Sequence, residues 1–177
     1  RSNDARVLMD YINNVNYNWG KANSAYGGDI EGGTIYVPRT HRVNMINNYY
    51  KPGPARPGTS SSFFVQSSFS GAQKTDQIAL WHMVGNVMEG SANTAKNTDN
   101  YLGLDASAYV GKGISATALR SDTIFPTPYP VNTETALEAY ESVLAKAGAF
   151  PRDTVDRRIV NEVRTGTASG KGTSSNN

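Results

Sequence analysis

Cysteine is absent from the 177 residues. That excludes a disulfide framework and any thiolate metal site. It does not exclude export, because a chain of this size can bury a core without cross-links. Charge is also scarce: Asp, Glu, Lys and Arg make up 18% of the chain, against a usual share of ~25%. Lys and Arg are scattered, and the formal net charge is only +2. A nucleic-acid footprint needs basic residues gathered on one face or helix, so no nucleic-acid partner is expected. No run approaches the ~18 apolar residues of a membrane span, and no membrane partner is expected either. No leader-like segment opens the chain, which begins at Arg1 rather than Met. Such a start is expected of a processed or truncated piece.

Several chemistries lack their signatures. The two histidines, His41 and His82, have no metal-ligand spacing, and no His-Glu-x-x-His is present. There is no Gly-x-Ser-x-Gly elbow. Gly111-Lys112-Gly113 and Gly170-Lys171-Gly172 lack the strand–loop–helix setting of a phosphate loop. His82, within Leu-Trp-His-Met-Val, reads as a strand residue with one satisfied nitrogen.

What remains is polar without being charged. Hydrophobic residues make up 38%, the mean hydropathy is −0.50 and the sequence pI about 8.8. Asn, Ser, Thr, Gly and Tyr supply the polarity. That composition fits a β-rich, hydrogen-bonding surface of the kind that handles carbohydrate, and the mild positive balance suits an acidic polymer.

Apolar and polar residues alternate over 12–19, the period of a strand. Asn13-Asn14 interrupts the run, and paired asparagines there predict a tight bend between two short strands, since Asn tolerates the left-handed region. A helix over 5–12 is the competing reading. Ile-Asn-Asn returns at 46–48, 34 residues on, and a fainter echo follows at 83–88, where Asn86 lies 39 after Asn47. Self-similarity at such a period predicts a solenoid. Its irregularity puts insertions between the coils, marked by Gly27-Gly28 with Gly32-Gly33 and by Pro52, Pro54 and Pro57. Further strands are expected at 34–37, 63–69 and 78–84. The paired asparagines have two readings: a stacked ladder that satisfies backbone groups, or sugar contact.

The last third changes period. Ala136, Leu137, Tyr140, Val143, Leu144 and Ala147 predict a helix over 132–147, capped by Asn132 or Thr133 and followed by Gly148. A second helix is expected over 154–164, with Asp153 as N-cap and Val155, Ile159, Val160 and Val163 as its buried stripe. Residues 1–112 are read as coils and loops of the solenoid, 113–165 as an extended segment plus two helices packed on it, and 166–177 as a disordered tail.

Candidate carboxylate-recognising cations are Arg1, Arg6, Lys21, Arg39, Arg42 and Lys51. Trp19, Tyr26, Tyr49 and Tyr50 are candidate sugar platforms, each with a plain packing reading beside it. Asp29 and Glu31 lie between two glycine pairs, as a calcium-binding or sugar-contacting tip or as a solvated loop.

Four blocks of the sequence resemble bacterial and fungal pectate lyases of polysaccharide lyase family 1, of the pectate trisaccharide-lyase type. They are Tyr-Ile-Asn-Asn-Val-Asn-Tyr-Asn-Trp-Gly from Tyr11, Val-Asn-Met-Ile-Asn-Asn-Tyr-Tyr-Lys-Pro-Gly-Pro from Val43, Gly-Asn-Val-Met-Glu-Gly from Gly85, and Pro-Arg-Asp-Thr-Val-Asp-Arg-Arg-Ile-Val from Pro151. The blocks run in family order. The resemblance implies an all-β fold, a right-handed parallel β-helix with C-terminal packing helices. It implies a secreted, extracellular or periplasmic monomer that cleaves de-esterified homogalacturonan by calcium-dependent β-elimination, with an arginine as base. Lys51, Tyr50, Tyr26, Asn23 and Trp19 are the expected substrate contacts. The family's Arg-x-Pro-Arg belongs just before Asn13-Asn14, yet no such motif is present. Arg1 is then a remnant of that neighbourhood, or the base precedes residue 1 together with the calcium acids. Val37-Pro38-Arg39 matches only in part and one block late. A non-catalytic β-helix module that binds acidic glycan is the alternative. A galacturonan hydrolase would need clustered aspartates that the scattered acids do not offer.

Overall fold

The computed structural model describes residues 7–29, 40–55 and 62–170. Nine short strands follow one another: β1 (Leu8–Ile12), β2 (Val15–Tyr17), β3 (Tyr26–Gly27), β4 (Thr40–Ile46), β5 (Tyr49–Lys51), β6 (Val65–Ser67), β7 (Ile78–Val84), β8 (Val87–Met88) and β9 (Leu104–Asp105). Every third strand pairs in parallel, giving three sheets ordered β1-β4-β7, β2-β5-β8 and β3-β6-β9. This is the coiled topology of a parallel β-helix. The helix considered over 5–12 is not formed where described, since Leu8–Ile12 is β1. The strand expected at 78–84 is β7, whereas that at 63–69 shrinks to β6, and 34–37 lies outside the described residues.

Period-two patterning sends alternate side chains inward. Met9, Val43 and Trp81 share one column of the first sheet, and Tyr11, Met45 and Met83 the next. Val43, Met45, Trp81 and Met83 are buried, with Tyr50, Phe64, Val65 and Met88 from the other faces.

The corner between the first and second strands has two residues in every coil. Its first residue is left-handed: Asn13 at φ 55°, Asn47 at 53° and Gly85 at 67°. Its second residue is Asn14, Asn48 or Asn86, and these stack. Asn14 donates its backbone N–H (2.9 Å) and Nδ2 (3.0 Å) to Asn48 Oδ1. Asn48 does the same to Asn86 Oδ1 at 3.1 and 2.7 Å. Asn86 does so to Asn100 Oδ1 at 2.8 and 2.9 Å. Asn48 and Asn86 are fully buried, so the paired asparagines form the ladder, away from solvent. The register corrects the faint echo by one residue: Asn86 stands below Asn48, and Gly85 below Asn47.

The first and second sheets each have their own covering. The extended segment 120–134 crosses the first sheet. Ser121 donates its N–H to Trp81 O at 2.8 Å. The Asn44 amide then pairs with Phe125 through both its atoms at 2.9 Å, as a peptide unit would. Asn13 grips Glu134 in the same manner at 2.7 and 3.0 Å. After two short helices, α1 (Thr94–Thr98) and α2 (Ser107–Val110), come α3 (Ala136–Lys146) and α4 (Thr154–Thr165). These last two cover the second sheet. Tyr49 sits with Ala136, Tyr140, Leu144 and Val163, and Val15 and Val87 pack alongside.

The N-cap of α3 is Thr135, not Asn132 or Thr133, because Thr135 and Glu138 close a capping box. Gly148 follows at φ 92°. α4 starts from Asp153 as expected, with Asp156 completing its box. Its stripe is only partly buried: Val163 is covered, whereas Val155 and Ile159 are exposed. Among the described residues no helix is long and apolar enough to cross a membrane.

Candidate functional site

The third sheet, β3-β6-β9, carries no such covering among the described residues. Its inward positions include Val65 and Leu104, and Ser67, which accepts the Trp81 Nε1–H at 3.0 Å. Its outward column is Tyr26, Gln66 and Asp105, one residue per coil. Adjacent strands stand ~4.8 Å apart, so the column spans about 10 Å along the solenoid axis.

The corner that leads into β3 builds a cleft beside this column. Asn18, left-handed at φ 55°, turns the chain and accepts the Ala55 N–H on Oδ1 at 2.8 Å. Asn23 then bridges to Phe63, and Ser24 donates its backbone N–H to Phe63 O at 3.1 Å. An open cleft of about 340 Å³ results, lined by Trp19, Lys21, Asn23, Ser24, Tyr26 and Gln66. Trp19 leans edge-on against Tyr50, with ring centroids 6.3 Å apart. Tyr26 is 66% exposed. Trp19 Nε1, Asn23 Oδ1 and Ser24 Oγ are buried and have no hydrogen-bond partner. Buried polar atoms are rarely left so. The three residues that carry this donor, acceptor and hydroxyl line one cleft, beside an accessible aromatic ring and a lysine.

Asp105 closes the far end of the column. Its Oδ1 accepts the Ser107 N–H at 3.0 Å, and its Oδ2 faces Asn23 Nδ2 at 3.4 Å. No described cation pairs with it. In the sequence Asp105, like Asp99, carries no signal above that of the other scattered acids, since its strand has two residues and no readable period, and Gln66 is covered only by the strand expected at 63–69.

The expected contacts separate. Trp19, Asn23 and Tyr26 meet at the cleft, with Lys21 beside them. Tyr50 does not: it is fully buried, packed on Phe64 at 4.8 Å, and serves the core rather than a surface platform. Lys51 belongs to the second face. Its side chain is 11% exposed, ion-paired with Glu89 at 2.8 Å and set 5.6 Å from the centre of the Tyr140 ring. Burial pulls its pKa down, but the Glu89 hydrogen bond and charge outweigh that, and the net direction is upward. Tyr49 likewise meets Tyr140, at 4.6 Å. Arg42 lies over Phe125 at 5.9 Å. His82 Nδ1 lies 2.9 Å from Ser121 O.

Asp29 is buried rather than at a loop tip. It lines a second cavity, of about 480 Å³, with Met9, His41 and Val43 at the β1 edge. Glu31, Arg1, Arg6 and Arg39 lie outside the described residues. Among the described residues no group of three or more His, Cys, Asp or Glu can hold a metal ion.

The sequence matches no protein family profile. It is similar to a protein of Aspergillus terreus named "Probable pectate lyase C", 28% identical over 168 residues. That similarity covers 93% of this chain and 34% of the relative, so the chain spans about a third of the relative's length. The protein is thus a coiled parallel-sheet protein with a distant, partial relationship to a pectate lyase.

Proposed function

We infer that this chain is the substrate-binding, later-coil part of a pectate lyase of polysaccharide lyase family 1, built as a right-handed β-helix. Right-handedness follows the near-universal hand of parallel crossovers. The observation that carries the reading is the cleft on the third sheet. Trp19, Asn23 and Ser24 line it with an unpartnered donor, acceptor and hydroxyl that a small side-chain rotation would turn to a sugar's hydroxyl groups, while Tyr26 offers an exposed flat face. Lys21 offers a charge to a uronate carboxylate. The name of the Aspergillus relative and the resemblance of the four sequence blocks support de-esterified homogalacturonan as the polymer.

The activity proposed for the full-length protein is calcium-dependent β-elimination. A base takes the C5 proton of a galacturonate, the C4–O bond breaks, and a C4–C5 double bond forms. In this proposal the arginine base is Arg1 or lies, with the calcium acids, in a part of the full-length protein outside this chain. This chain's residues would bind and orient the polymer on the coils that follow. The test is to incubate the full-length protein with polygalacturonate and follow the ultraviolet absorbance of unsaturated uronides, with and without a chelator. Absorbance that the chelator abolishes supports the reading; no absorbance at any calcium concentration overturns it. Saturable binding of polygalacturonate without product would instead identify a non-catalytic module for acidic glycan, the reading that the missing Arg-x-Pro-Arg favours.

A further inference from the structure

The cleft face has a charge gradient along the solenoid axis. At its first coil stands Lys21, exposed and paired with no described acid. At the second coil stands Gln66, which is neutral, and at the third Asp105. The two oxygens of Asp105 meet only the Ser107 N–H and the Asn23 amide, both uncharged. Its half-buried carboxylate leans from the third coil onto Asn23 at the border of the cleft, and its charge is uncompensated among the described residues.

A polymer lying along this column has its sugars at intervals comparable to the coil spacing. A free uronate is attracted at the Lys21 end and repelled at the Asp105 end, within the distance over which exposed charges still interact at ordinary ionic strength. We propose that Asp105 is a specificity-determining residue, which makes the end of the outward column beyond the cleft accept an uncharged sugar, such as a methyl-esterified galacturonate, in preference to a free uronate. The preferred ligand is then a partly esterified pectin, acidic over the Lys21 coil and neutral over the Asp105 coil. This inference rests on the pectate-binding reading of the same cleft and adds the pattern of esterification that it selects.

Affinity electrophoresis of the full-length protein through gels that contain polygalacturonate or highly methyl-esterified pectin tests it without needing turnover. Asp105→Asn removes the charge and keeps an oxygen for the Ser107 N–H. It should raise the ratio of polygalacturonate to esterified-pectin affinity by roughly threefold, the scale of one like-charge contact in a water-like medium. The gain should shrink as salt is added. Gln66→Glu, which moves a second carboxylate one coil nearer to Lys21, should lower the same ratio.

An unchanged ratio in both variants overturns the proposal. So does a loss of polygalacturonate affinity in Asp105→Asn that appears only with calcium present, because Asp105 would then attract uronates through a bridging cation. Retardation of the parent protein by neither polymer would overturn the pectate-binding reading itself, an outcome distinct from an unchanged ratio.

Discussion

A Cβ built on Gly85 would stand 1.8 Å from Oδ1 of Asn47, the residue one coil above it. Both residues occupy the left-handed corner between the first and second strands. Two asparagines can follow each other down that corner only until the side chain of one fills the space beneath it. The third coil meets this by giving up its side chain.

Gly85→Ala is therefore expected to cost about 2 kcal/mol or more, from backbone strain at positive φ together with the collision. Asn47→Gly in the same molecule should recover part of that loss by clearing the Oδ1. Urea midpoints of the two single variants and the double variant form the cycle. Strict additivity would refute the contact.

The second corner position predicts a different effect. Asn48→Ala leaves the Asn14 N–H and Nδ2 without their acceptor and takes the Nδ2 donor from Asn86 Oδ1, which keeps only the backbone N–H of residue 48, in a buried column. A loss of about 3 kcal/mol is expected. Asn47→Ala should lose about 1 kcal/mol, the cost of the left-handed backbone. Equal losses at the two sites, measured by chemical denaturation, would contradict the ladder.

Alkali should loosen the second face. Burial first, then the Glu89 charge and hydrogen bond, hold the Tyr49 phenol above its ordinary 10.0. Lys51 is also raised above its ordinary 10.5, burial being outweighed by Glu89. Both groups thus bind their protons more tightly when folded. Their contribution is complete below the unfolded values and is lost as pH rises from about 10 through the raised ones. Tyr49→Phe should flatten the fall of thermal midpoint above pH 10; an identical slope would remove Tyr49 from it. Lys51→Ala should lower stability by about 1 kcal/mol, the scale of a pair open to solvent on its Glu89 side, and leave polygalacturonate affinity unaltered.

Tyr26 is exposed enough to be removed without unfolding. Tyr26→Ala should weaken polygalacturonate binding about fivefold, the scale of an aromatic contact, with the thermal midpoint unmoved. Tyr26→Phe should restore it. Equal binding by all three proteins in titration calorimetry would take the ring out of the site.

The crossing segment hangs on two side-chain amides. Asn44→Leu removes the pairing with Phe125 and should expose the segment around it to protease under native conditions. Cleavage between residues 121 and 131, absent from the parent, would be seen by mass spectrometry of the digest. Resistance equal to the parent's would show that Ser121 and Glu134 hold the segment by themselves.

The sequence made some of this architecture readable and concealed the rest for physical reasons. Asn13-Asn14 and Asn47-Asn48 announced the corners because few residues accept a left-handed backbone and also donate to a neighbour. β7 was legible as a seven-residue, mostly apolar run between loops. β3, β8 and β9, with two residues each, carry no period, and β3 and β9 frame the cleft. Tyr49-Tyr50 looked like one aromatic surface, yet alternation sends Tyr50 into the core and Tyr49 under α3. Lys51 resembled a free cation because its partner, Glu89, lies a full coil away. The exposed Val155 and Ile159 show the limit of a helical stripe, which gives the side of a helix that is apolar but not how much of it the sheet can cover.

The ladder steps differ in length, 34 residues from Asn14 to Asn48 and 38 from Asn48 to Asn86. The corner that holds the asparagines never changes from two residues. All the variation falls at the other corners, including the one that shapes the cleft. Insertions and deletions can therefore rework what the cleft grips without moving a single core side chain out of register. A binding surface of this kind can diverge quickly on a scaffold that stays fixed.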